Sequence, residues 1–128
     1  MKKILLPIFI VALMLMLVAC SGEENSDSTT EKYIEQAEKV ISLLNENNYE
    51  EVYAKFNDEM KQSLTLENMN TFTPLLEESG DFVEIDQSSV EEKDGYFVTV
   101  VVAKYTNQNR VFTISFSDNE EIAGLFVK

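Results

Sequence analysis

The hydrophobic period of this 128-residue chain changes once, at Gly80, and that change decides its fold class. Before Gly80, Tyr33, Ile34, Ala37, Val40, Ile41 and Leu44 recur at helical intervals and share one face, as in an amphipathic helix. Ser28 and Glu31 have the spacing of a capping box at its start, and Asn45-Glu46-Asn47-Asn48 ends it. A second segment, from Tyr49 to about Phe56, aligns Val52, Tyr53 and Phe56 on one stripe, which suggests an antiparallel helix pair. A third stretch has Thr65 as an N-cap, carries Leu66, Met69 and Phe72, and closes at Gly80. Pro74 should kink or divide it, because proline removes a donor and clashes with the preceding turn.

After Gly80 the period is 2. Val83 and Ile85 alternate with Glu84 and Asp86, and Glu91 to Gly95 supplies a turn in which Asp94-Gly95 is a strong hairpin signal. Tyr96 to Tyr105 is apolar on both faces through Val102, the pattern of a central strand covered on both sides. Thr106 to Asn109 is the next turn, and Phe112, Ile114 and Phe116 then give a clean inner face. A charged turn over 118–121 precedes a last strand, Ile122 to Val127, in which Gly124 suggests a bulge or bend. Helices followed by a four-stranded meander define an α+β domain.

The chain's start bears on location. Lys2 and Lys3 precede a continuous apolar run, and Cys20, the single cysteine, follows the small residue Ala19. The run from Ile4 to Ala19 contains Pro7 and is shorter than the roughly 20 residues of a spanning helix, so a cleaved leader is expected over a retained anchor. Leu17-Val18-Ala19-Cys20 resembles a bacterial lipoprotein signal, which implies that Cys20 carries a diacylglycerol thioether, and acyl chains such as palmitate, once residues 1–19 are removed. Two or more acyl chains anchor stably where one does not. Residues 20–30 then read as the lipidated cysteine and a flexible polar tether, because Ser21 to Thr30 contains no apolar side chain to offset the entropy of ordering. Residues 31–128 are the globular domain. The expected location is the outer face of the cell membrane.

Charge and inventory exclude whole classes of function. The net charge of −13 denies the chain the counterion release on which nucleic-acid binding rests. It also leaves attachment to an anionic membrane to the lipid alone. With no histidine, imidazole bases, imidazole metal ligands and Ser-His arrangements are absent. The four glycines are scattered singly, so no phosphate loop forms. The acidic groups Asp118, Glu120, Glu121 and Glu91, Glu92, Asp94 lack the spacing of a calcium loop. No cofactor and no metal are expected.

Asn48-Tyr49-Glu50-Glu51-Val52-Tyr53-Ala54-Lys55-Phe56, Met60-Lys61-Gln62-Ser63-Leu64-Thr65 and the closing Ile122-Ala123-Gly124-Leu125 are similar to an uncharacterised family of small domains of Firmicutes lipoproteins. The order of elements resembles the nuclear transport factor 2-like (cystatin-like) superfamily, which implies a cone of helices on a bent sheet with a sheltered space between. The chain departs from the pattern at Pro74 and Phe72.

That resemblance admits one enzymatic alternative, a pocket enzyme of the ketosteroid isomerase or cyclase type working through aspartate and tyrosine. Such chemistry needs a carboxyl whose proton affinity an apolar wall has moved. Asp86 shares its face with Glu84, and Asp58 and Asp81 sit in turn-like contexts, so solvated carboxylates are the expectation. Tyr33, Tyr53, Phe56, Phe72, Phe112 and Phe116 fall on inward faces, as core or as the lining of a pocket for a small apolar ligand. The expected function is therefore a non-catalytic domain that binds an apolar ligand or docks an extracytoplasmic protein. A ligand-free spacer domain is the remaining reading. An enclosed cavity marks the first, a filled cone with an exposed apolar patch the second, and neither feature the third.

Overall fold

A computed structural model describes residues 24–128, and the leader and Cys20 lie outside the described residues. Helix α1 spans Glu24–Asn45, α2 Tyr49–Ala54, α3 Asp58–Ser63 and α4 Phe72–Ser79, with a 3-10 turn at Asn68–Thr71 before α4. Four strands follow: β1 Phe82–Lys93, β2 Tyr96–Tyr105, β3 Asn109–Phe116 and β4 Ile122–Val127. They pair antiparallel in the order β1-β2-β3-β4, so the fold is α+β. Lys32–Lys128 forms one compact unit.

Of the stripe expected on α1, Tyr33, Ala37, Val40, Ile41 and Leu44 lie in the core and Ile34 is half-buried. The helix begins at Glu24, so Ser28 lies inside it and does not cap it, and Glu24–Thr30 is helical where a flexible tether was expected. Extending a formed helix adds a hydrogen bond per residue without a second nucleation cost, which lets polar residues continue one that is already packed. The end is a Schellman motif. Asn47, at φ 60°, donates to Leu44 at 3.1 Å, and Asn48 donates to Leu43 at 2.8 Å.

One local reading is corrected, one helix is new, and the division at Pro74 is as expected. Helix α2 stops at Ala54, and Phe56 instead forms a parallel bridge with Ile122. Asn57 N donates to Ile122 O at 2.9 Å and Ile122 N to Lys55 O at 2.8 Å, so this segment covers the outer edge of β4. Asn57 then caps α3 by accepting from Met60 N at 2.8 Å, and α3 buries Met60. Pro74 divides the third helical stretch: the residues before it form the 3-10 turn, and Pro74 itself sits in the first turn of α4, where a missing N–H costs nothing. Thr65 Oγ1 accepts from Asn68 N at 3.3 Å ahead of that turn.

In the sheet, the hairpin after β1 is tighter than expected. Glu91 and Glu92 belong to β1, and Asp94 and Gly95, at φ 53° and 84°, form the two-residue turn between Lys93 and Tyr96. One face of β2, carrying Thr99, Val101, Ala103 and Tyr105, is buried. Val98, Val100 and Val102 on the other face are half-exposed, so β2 is central but covered on one side only. Valine suits any pleated surface, and its presence on both faces does not require a layer on both. Phe112, Ile114 and Phe116 point into the core as expected, and Ala123 is the extra residue of a bulge beside Gly124.

Strand β1 carries two bulges of its own. Register shifts between Phe82 and Glu84 and between Ile85 and Gln87 leave Val83 and Asp86 unpaired. Phe82 is therefore opposite Tyr105 and Ile85 opposite Ala103, both on the helix-facing side, while Val83 is turned out and exposed. Simple alternation, which put Val83 and Ile85 together, is overturned by these bulges.

Candidate functional site

The sheltered space between helices and sheet is filled. Phe56, Phe112, Phe116, Met69 and Val52 are within 1% of complete burial, and side chains packed at interior density leave little room for a ligand. Of the six aromatics expected as possible pocket lining, Tyr33, Phe56, Phe72, Phe112 and Phe116 are buried core residues, and Tyr53 is half-buried against Phe56 with ring centroids 5.6 Å apart. None of them lines the large grooves. Phe116 also reaches a recess of about 60 Å³ beside Val40 and Lys55. Tyr33 stacks on Phe97 at 4.3 Å and tilts against Phe116 at 5.5 Å. The space is taken by a chain without disulfides that must bury its largest side chains to be stable.

Two concavities open at the surface beside β1. One groove of about 470 Å³ runs between α1 and the start of β1, with Ile41, Phe82 and Ile85 as its apolar floor. Glu38, Glu46 and Glu84 stand round it, with Ser42 and Asn45. A second, of about 420 Å³, shares Asn45 and Phe82 and continues to Leu76, Tyr105, Glu77 and Asp81. The lining of the two grooves thus contains five acidic side chains and neither lysine nor arginine. Phe82 is 44% exposed although its ring meets Tyr105 edge-on at 5.7 Å. Phe82 thus leaves much of a large apolar side chain open to water within that lining.

What holds Phe82 there is the junction of α4 and β1. Gly80 ends α4 at φ 88°, in backbone open only to glycine, and a side chain added there would meet Thr106 Oγ1 at 2.1 Å. Asp81 N donates to that hydroxyl at 3.0 Å, and Thr106 N donates to Asp81 O at 2.9 Å. Arg110 Nε donates to Ser79 Oγ at 2.6 Å, and Nη2 donates to Leu75 O at 3.3 Å, placing a cation at the carbonyl end of α4. Four hydrogen bonds thus brace the junction from which Phe82 projects.

Polar anchors line the same region. Tyr105 OH donates to Asn45 Oδ1 at 2.6 Å, leaving the amide's N–H group for other acceptors. Burial pushes the Tyr105 hydroxyl above its ordinary 10.0, opposed by the Asn45 hydrogen bond and the charge of Arg110. Tyr49 OH lies 2.5 Å from Thr73 Oγ1 and 3.0 Å from Asn47 Oδ1, bracing the far wall. The carboxylates weighed for acid-base chemistry, Asp58, Asp81 and Asp86, are exposed. Among the described residues the buried polar side chains are Ser79 and Thr99, and no group of three or more acidic or thiol side chains is placed to hold a metal. No helix among them is long and apolar enough to cross a membrane.

Sequence reasoning missed Phe82, Glu38, Glu46 and Asn45 as one site. Their assembly depends on the bulges at Val83 and Asp86, which leave no mark in the hydrophobic pattern.

Residues 37–125, from the middle of α1 into β4, match the family described as Protein of unknown function (DUF3887). The chain belongs to that family. It is also similar to a solved NMR structure of a protein from Ruminococcus gnavus ATCC 29149, at 22% identity and a TM-score of 0.59, over 69% of this chain and 81% of that one. At that identity the likeness speaks to the fold. No curated protein matches the chain. The family match includes Glu38, Ile41, Asn45, Glu46, Phe82, Glu84 and Ile85, so the groove belongs to the family's domain and not to an appendage.

Proposed function

We propose that this protein is a lipoprotein, anchored through Cys20 on the outer face of the cell membrane, whose domain docks a partner in the α1–β1 groove and catalyses no reaction. The observation that carries the docking reading is Phe82, 44% exposed on an apolar floor beside a core that is filled. An enclosed cavity would have favoured a buried small ligand; an open groove with an aromatic anchor suits a protein surface or peptide. The surface placement of Asp58, Asp81 and Asp86 supports binding over catalysis. The filled cone is compatible with a member of the nuclear transport factor 2-like superfamily that has given up its internal pocket.

The anchor and the groove have separate tests. Radioactive palmitate should label the parent chain and not Cys20→Ser; equal labelling of both removes the anchor from this reading. The uncharged dye Nile red, which fluoresces on exposed apolar surface, should bind the parent and lose most of its signal with Phe82→Ser. Phe126→Ser, which removes a side chain 68% exposed on the other face of the sheet, should leave that signal in place. Loss with Phe126→Ser alone would move the docking surface to that face.

A further inference from the structure

Resting on the docking reading, we propose that the groove's partner is a peptide segment that carries both cationic and apolar side chains. The floor supplies one half of the argument. Ile41, Phe82 and Ile85 offer apolar surface that gains by leaving water. The rim supplies the other. Glu84 on β1 lies opposite Lys104 of β2, so the rim is carried by Glu38 and Glu46 on α1 and by Glu77 and Asp81, which continue the acidic border past Phe82. With no lysine or arginine in the lining to neutralise them, these carboxylates give the concavity a negative field that low-dielectric walls focus.

Among the described residues, five other cations lie outside both linings. Lys32 pairs with Glu120, Lys61 lies over the Tyr53 ring at 5.6 Å, and Lys39 and Lys55 border the small recess beside Phe116. Arg110 is spent on the end of α4. An acidic or purely apolar segment would have to bring its surface against the carboxylates of Glu38, Glu46, Glu77 and Asp81, whereas a basic one would pair with them while its apolar side chains cover Phe82. The segment engages by side chains and not by adding a strand to β1, because the bulges at Val83 and Asp86 interrupt the edge of β1 where it borders the groove.

The test uses the full-length chain and three fluorescein-labelled synthetic peptides of equal length, alternating Lys-Leu, Glu-Leu and Lys-Ser, read by fluorescence anisotropy at low and high salt. Lys-Leu should bind, and the other two should bind at least about tenfold more weakly, a difference of about 1.4 kcal/mol. The triple variant Glu38→Gln, Glu46→Gln, Glu77→Gln should weaken Lys-Leu at least tenfold and flatten its salt dependence, since those charges set it. A remote triple, Asp58→Asn, Glu51→Gln, Glu59→Gln, should leave binding within about twofold, because screened charges at a distance contribute little. All of these side chains except half-buried Glu38 are exposed, so folding of the variants is not at stake, and a melting curve confirms it. Equal loss in the remote triple would mean that the whole acidic surface attracts the peptide, and the proposal would fall. If Glu-Leu bound as well as Lys-Leu and both depended on Phe82, docking would stand and the cationic chemistry would be wrong. If Phe82→Ser changed no peptide's affinity, the groove itself would be wrong.

Discussion

Replacing Thr99 by valine should stabilise this protein, against the usual direction of core substitutions. Thr99 is completely buried on the helix-facing side of β2, opposite Val90 and Ile114, and its Oγ1 has no hydrogen-bond partner among the described residues. An unsatisfied buried hydroxyl costs about 1–3 kcal/mol. Valine is close to isosteric, keeps the β-branch that suits a strand, and exchanges the hydroxyl for a methyl among apolar neighbours. The expected gain is about 1–2 kcal/mol, taking the lower part of that range because the hydroxyl can relax in the native state. For a domain of this size each kcal/mol is worth roughly 4–8 °C in melting temperature. Urea unfolding should show a raised midpoint with an unchanged slope. Val101→Thr, two positions along the same buried face, should lose a similar amount. If Thr99→Val were neutral or destabilising, the hydroxyl would have a partner in solution and the core would not be the dry, filled interior described above.

Two other perturbations follow from the site. Gly80→Ala should cost about 2 kcal/mol or more, because it combines positive-φ strain with displacement of the Thr106 hydroxyl that Asp81 N uses. Gly95→Ala, at φ 84° with open space round it, should lose only the strain, about 1 kcal/mol; equal losses at the two positions would remove the clash from the account. Raising the pH should destabilise the fold. Burial holds the Tyr105 hydroxyl above 10.0, as burial and the charges of Asp118 and Glu92 do for Tyr33. Both side chains therefore bind protons more tightly folded than unfolded, and their contribution is complete below pH 10.0 and is lost as pH rises through the folded values. Urea midpoints measured from pH 8 upward should fall beyond about 10 and fall less in Tyr33→Phe; no dependence on the substitution would contradict the assignment.

The sequence carries most of the architecture and little of the site. Where a single period holds for many residues, as on α1 or along Phe112, Ile114 and Phe116, burial follows it directly. Asp94-Gly95 marks its own turn because both positions need positive φ. The failures are local and have physical causes. Helix α2 ends early because Phe56 gains more by bridging to Ile122, a contact remote in sequence. Valines on both faces of β2 gave the pattern of a covered strand, although only one face has a layer against it. The groove was illegible because its floor is assembled by bulges: without them Phe82 and Ile85 would lie on opposite faces of β1. The aromatic side chains read as possible pocket lining are instead what fills the cone.

The central claim is that the α1–β1 groove is where a partner binds, and amide chemical-shift mapping of the full-length chain titrated with the Lys-Leu peptide tests it most directly. Shifts should concentrate at Ile41, Asn45, Phe82 and Ile85, with Val100, Val102 and Phe126 on the far face of the sheet unmoved. Perturbation centred on Val100, Val102 and Phe126, with the groove unmoved, would contradict it.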